Sequence, residues 1–162
     1  MYAAPQAFGA TPGAALQPGG GKPRVRNALM TMLLPAIISI GGVIAGLIVI
    51  ILGGVAESAV IALLGTLLYL VGALAGGVLG LISAVKMIGE LNAVTRSQTV
   101  QWWMLLIPFY GIYVAWVLLP AEVAKAKQAV NAQEPPRGIV VYIFLWLYAL
   151  AADLNDIAKA MP

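Results

Sequence analysis

From Ala28 to Ala56 the chain carries no charged side chain. That stretch decides which solvent the chain folds in. A helix in water buries one apolar stripe and needs charge on its other faces, whereas an uncharged stretch of about 18 residues or more is long enough to cross a bilayer. Three further uncharged runs follow: Ser58–Val85, Ser97–Ala121 and the shorter Gly138–Ala152. Composition agrees, with 62% hydrophobic and 9% charged residues. A soluble domain carries about 25% charge, so a soluble enzyme is excluded, and so is a wholly disordered chain. The expected fold is all-α, a helical integral membrane protein with four hydrophobic helices. The expected spans are about 28–52, 59–85, 100–119 and 138–155.

Residues 1–27 are rich in Pro, Gly and Ala and too poor in apolar side chains to fold, so a disordered tail is expected there. Lys22, Arg24 and Arg26 close it. A cleaved secretory signal is the rival reading, but its apolar region is about 7–15 residues, far shorter than the run after Arg26. The first run is therefore read as an anchor.

The chain has no Cys and no His. Disulfides, thiolate nucleophiles, Cys or His zinc sites and Ser–His catalysis are all excluded. No cofactor and no metal are expected. The net charge of +3 comes from nine basic residues scattered in small groups beside apolar runs. That is the pattern of membrane orientation rather than of nucleic-acid binding.

The third and fourth runs pose a topological conflict. Pro108-Phe109-Tyr110-Gly111 interrupts the middle of the third, where Pro108 removes a backbone donor and clashes with the preceding turn. That helix is kinked, or the segment dips in and returns at Pro108–Gly111. Trp102, Trp103, Trp116 and Trp146 are the expected interface anchors. The fourth run is shorter than the about 17 residues a span needs, and crosses only if Ala151–Met161 extend it. With four spans, six basic residues fall on the N-terminal side and three opposite. With a re-entrant third segment, eight fall on the N-terminal side and only Lys159 opposite. The positive-inside rule then makes the N-terminus cytoplasmic, in what is expected to be a bacterial inner membrane.

Small residues mark helix contacts in lipid, where close backbone approach replaces hydrophobic exclusion. Gly72, Gly76 and Gly80 share one face of the second span, with Gly65 extending it. Ser39, Gly42, Gly46 and Gly53 answer on the first. These faces either join the first two spans as a hairpin or seal an oligomer.

No charge lies in the centre of the first three runs. Glu57 is expected in a solvated turn and Lys86 snorkelling at a span end. Asp153 and Asp156 are three residues apart on one helix face and are expected to be a solvated helix end. Two carboxylates and Asn155 fall short of the about six oxygens calcium requires. Tyr110, Tyr113 and Trp116 form an aromatic helix face.

The segment Pro108-Phe109-Tyr110-Gly111-Ile112-Tyr113-Val114-Ala115-Trp116, with Gly89-Glu90-Leu91-Asn92 before it and Asp153-Leu154-Asn155-Asp156-Ile157 after it, resembles small bacterial multi-pass membrane proteins. These are known as domain of unknown function four-two-three-four, and the resemblance covers about Leu81–Ala160. It implies a bacterial, multi-pass, non-enzymatic protein and assigns no site residue. The expected function is a non-catalytic membrane protein that packs with itself or a membrane partner through its glycine faces. The alternative is a small channel or transporter with the kinked third helix lining a path.

Overall fold

The structure is a computed structural model and describes residues 21–162, so residues 1–20 of the expected tail lie outside the described residues. Helix α1 spans Ala28–Val55 and α2 spans Ala59–Thr95. Each starts on a polar cap: the Asn27 side chain accepts from Met30 N, and the Ser58 hydroxyl accepts from Ile61 N. Such caps satisfy one of the four backbone donors left free at a helix start. The turn between the helices is closed by Ala56 N to Leu52 O and Ser58 N to Gly53 O, both 2.9 Å. Glu57 takes a left-handed φ of 52° there.

The two helices lie antiparallel, with their glycines in the seam. A Cβ at Gly46 would stand 2.5 Å from Tyr69 N, and one at Gly65 would stand 2.5 Å from Ile50 N. Gly42 and Gly72 face each other more tightly still. No residue with a side chain fits at these distances. Between Gly42 and Gly72, by way of the turn, glycines alone are buried: Gly46, Gly53, Gly65 and Gly72. Most large apolar side chains of this half, Leu47, Ile51, Leu63 and Leu67 among them, are exposed.

The third uncharged run is not one helix. Trp102–Leu106 forms a 3-10 turn, Ile107–Phe109 is a break, and the chain resumes as α3 (Tyr110–Tyr113), a π turn (Val114–Leu118) and α4 (Leu119–Ala129). Phe109 sits at φ 62° and ψ −42°, outside the helical region. Gly111 lets the two arms touch, since a Cβ there would lie 2.5 Å from Leu105 O. The π turn has a local cause. In α-helical register the Pro120 ring would clash with the Trp116 carbonyl four residues back, and the wider turn, with Leu119 N on Val114 O, shifts that register.

Helix α5 spans Ile139–Ala160, the extension that the short fourth run requires. Three helices, α1, α2 and α5, are thus long and apolar enough to cross a membrane, and the expected span at 100–119 is not among them. The third of them is itself folded. Leu145 has φ −136° and ψ 42°, which are not helical. In a straight helix Arg137 and Asp153 would stand about 24 Å apart. Instead Arg137 Nη1 lies 2.6 Å from Asp153 Oδ1, so the arm before Leu145 returns along the arm after it.

One end of the molecule is polar and tied together. Arg26 pairs with Glu90 of α2, Asn155 of α5 bonds both the N–H and the carbonyl of Arg26, and Lys22 reaches Met161 O at 2.8 Å. The expected disorder of residues 1–27 therefore does not extend through Lys22–Asn27. The side-chain core lies just above this end, where Met87, Leu91, Leu119, Val123, Leu150 and Ile157 are fully buried.

Candidate functional site

Two places gather chemistry: a charged cluster at the polar end and an apolar groove higher in the molecule. The cluster is built by α4, the 130–138 connection and both arms of α5. Asn131, at a left-handed φ of 53°, and Pro135-Pro136 end α4 and swing the chain round to Arg137. The fold at Leu145 then brings Asp153 and Asp156 back to it.

Lys127, only 3% exposed, places its ammonium 2.8 Å from Asp153 Oδ1, 3.1 Å from Asp156 Oδ2 and 3.0 Å from Pro135 O. It donates hydrogen bonds to Pro135 O and Asp156 Oδ2 and pairs with Asp153 by charge. Asp153, 0% exposed, also receives Arg137 Nη1 at 2.6 Å and the Tyr142 hydroxyl at 2.8 Å. Arg137 Nη1 bridges to Asp156 Oδ2 at 2.6 Å. Partial burial alone would lower the Arg137 pKa, but its hydrogen bonds to Asp156 and Asp153 outweigh that and raise it, so its charge is permanent. The expected solvated helix end is therefore corrected. Asp153 is fully buried, because two cations offset a desolvation that an isolated carboxylate could not bear.

The cluster holds two acids against two bases and is neutral as a unit. Its ion pairs and the Tyr142 hydrogen bond tie α4, the 130–138 connection and both arms of α5 together. Within it every cation faces a carboxylate. Among the described residues, no group of three or more metal-ligating side chains comes together. One further acid is buried nearby in sequence: Glu122 is 2% exposed, bonds Lys125 through Oε1 at 2.6 Å, and leaves Oε2 without a partner.

The groove has a volume of about 680 Å³. Its walls are Met32, Pro35, Ala36 and Ser39 of α1, the Ala73–Ala84 stretch of α2, Leu105 and Leu106 of the 3-10 turn, and Trp146 and Leu147 of α5. This size falls in the range of ligand pockets, but the polar groups that fix a ligand's orientation are missing apart from Ser39. A saturated acyl chain or an apolar helix face fits such walls.

Of the expected packing residues, Gly42, Gly46, Gly65, Gly72 and Gly76 lie in the α1–α2 seam, so the hairpin uses them internally. Gly80 is looser: a Cβ there would stand 3.8 Å from Pro35 Cβ and 3.9 Å from Leu147 Cδ1 at the groove. Pro108 lies within the Ile107–Phe109 break, and Gly111 lies just after it in α3. Trp102 and Trp103 are exposed, while Trp116 and Trp146 face each other across a small apolar recess with Pro108 and Phe109. That recess places the Ile107–Phe109 break next to the Leu145 fold. The cluster was missed at the sequence level. Its available signal was an apolar run too short to cross, flanked by Arg137 on one side and by Asp153 and Asp156 on the other.

No family model, curated protein or solved structure matches the chain. The resemblance carried by Pro108–Trp116, Gly89–Asn92 and Asp153–Ile157 rests on those segments alone.

Proposed function

We propose that this chain is a non-catalytic multi-pass component of a bacterial inner membrane, with a cytoplasmic N-terminus, whose role is to pack in the bilayer against itself or a membrane partner. The observation that carries this reading is the neutral cluster. The four charged side chains gathered there, Lys127, Arg137, Asp153 and Asp156, are bound to one another. In this reading α1 and α2 cross the bilayer. The broken third run and the folded α5 enter from the N-terminal side and return to it. All nine basic residues then lie on the cytoplasmic side, and Glu57 is the one acid opposite.

The hairpin seam is closed to partners, so the partner's contact falls on the groove, where small residues still face outward. Two neighbouring glycines separate the roles. A Cβ at Gly76 would stand 2.6 Å from Pro35 O, while one at Gly77, also on the groove, meets nothing within 4 Å. Gly76→Leu is expected to abolish accumulation of the protein by prising α1 from α2. Gly77→Leu is expected to leave the yield intact and to reduce the assembled size in mild detergent. An unchanged assembled size for Gly77→Leu counts against the proposal.

The adjacency of two broken helices favours one second reading, a small channel or transporter, since transport sites are built on discontinuous helices. The walls around both breaks are apolar, which leaves ions no path. Flux of ions or polar solutes into vesicles loaded with the purified protein would revive it.

A further inference from the structure

The bends at Phe109 and Leu145 each carry a large exposed aromatic: Phe109 is 86% exposed and Phe144 is 77% exposed. In water such tips would be costly. Their depth follows from the hairpin beside them. The groove, which the 3-10 turn and the start of the returning arm of α5 help to wall, reaches Ser39 on α1. From Ser39 to the end of α1 at Val55, a helix rises about 24 Å, less than the about 30 Å of a hydrocarbon core. A hairpin that crosses must therefore draw the groove walls, with Leu105, Leu106 and Trp146, into the hydrocarbon. Any tilt draws them deeper. On the other side Asn27 lies about 18 Å below Ser39, which places the Arg26–Glu90 and Asp153–Lys127 layer beyond the hydrocarbon on that side.

The two halves of the molecule consequently differ in width. On the Glu57 side, the bilayer meets two helices in glycine contact. On the Lys127 side it meets α1, α2, the Tyr110–Ala129 rod and both arms of α5. With each helix about 10 Å across, the chain takes about twice the area in one leaflet that it takes in the other. The geometry points to a wedge: the protein prefers, and promotes, membrane that is convex on the side of its polar cluster. Its partner is the bilayer itself, in a stated curvature. This rests on the membrane reading proposed above and adds a function to it.

The test uses the full chain reconstituted into sonicated small vesicles and into large extruded ones. The chain has no native Cys, so Ala129→Cys alone reports which way each molecule faces. The fraction reached from outside by an impermeant thiol reagent is expected to move from near parity in large vesicles to a clear excess in small ones, whose outer leaflet is strongly convex. Equal fractions at both sizes overturn the wedge. The four tryptophans, Trp102, Trp103, Trp116 and Trp146, all lie in the half-deep elements. Their fluorescence is expected to be quenched by lipids brominated along the acyl chain, and its persistence overturns the depth on which the wedge depends. Phe109→Ser with Phe144→Ser alters exposed tips and no core contact, and is expected to remove the size dependence. Retained size dependence in that variant also counts against the wedge. Labelling Ala56→Cys and Ala129→Cys in intact cells tests the membrane reading separately: reaction of both from outside defeats that reading, whatever the vesicles show.

Discussion

Asp153 illustrates how a residue can be placed correctly by its spacing and wrongly by its surroundings. Its pairing with Asp156 on one helix face was legible, because three residues along a helix return to nearly the same side. Its burial was not. That depends on Lys127 and Arg137, which lie well before it in the chain and arrive only because α4 ends at Asn131 and α5 folds at Leu145. Removing Asp153 leaves two cations to share the single carboxylate of Asp156. Asp153→Ala is expected to cost about 3–5 kcal/mol. Tyr142→Phe removes only one donor from the same carboxylate and is expected to cost about 1.5–3 kcal/mol. Reversible denaturation in mild detergent measures both, and near-equal losses would show that Asp153 acts mainly through its tyrosine. At the other end of the molecule, Glu57 holds a left-handed φ with no side-chain hydrogen bond. Glu57→Asn is expected to raise stability by up to about 1 kcal/mol, since Asn tolerates that conformation better.

The elements divide into those written in local pattern and those made by contact. The α1–α2 hairpin was legible nearly residue for residue, because in lipid the seam is drawn by the glycines themselves. Ser39, Gly42, Gly46 and Gly53 do face Gly76, Gly72, Tyr69 with Gly65, and Ala62. Proline and glycine act on their own backbone, and the chain is interrupted at Ile107–Phe109, at and beside Pro108. The fold at Leu145 was not legible. No proline or glycine lies between Gly138 and Met161, so nothing local announces a bend. What holds it is the cluster at its base together with the packing of Tyr142, Leu150 and Leu154 in the core. Because the bend is held by contacts rather than by its own residues, it is expected to open when the contacts go. In Asp153→Ala, a spin-label pair at Val140 and Leu147 should separate, while the same pair in Tyr142→Phe should not. An unchanged distance in Asp153→Ala would mean that packing alone sets the fold.

For the molecule as a whole, one polar end and one apolar end are the organising fact. The composition and the four uncharged runs were enough to place the chain in a membrane and to make it all-helical. They were not enough to count crossings, because an uncharged run such as Ser97–Ala121 reads the same whether it crosses or turns back. The positive-inside conflict was the sequence's own notice of this, and the two returning segments proposed here would remove it. In intact cells, Ala56→Cys is expected to react with an impermeant thiol reagent, and Ala129→Cys to react only once the membrane is opened. The ties at the polar end carry a further consequence, in time rather than in space. Arg26 is among the first described residues, yet its backbone is held by Asn155, and Lys22 waits for the Met161 carbonyl. A ribosome delivers those partners 129 and 139 residues later. The hairpin therefore inserts and closes its glycine seam while its own entrance is still unfastened, and Lys22 and Arg26 are pinned only when Asn155 and Met161 have emerged.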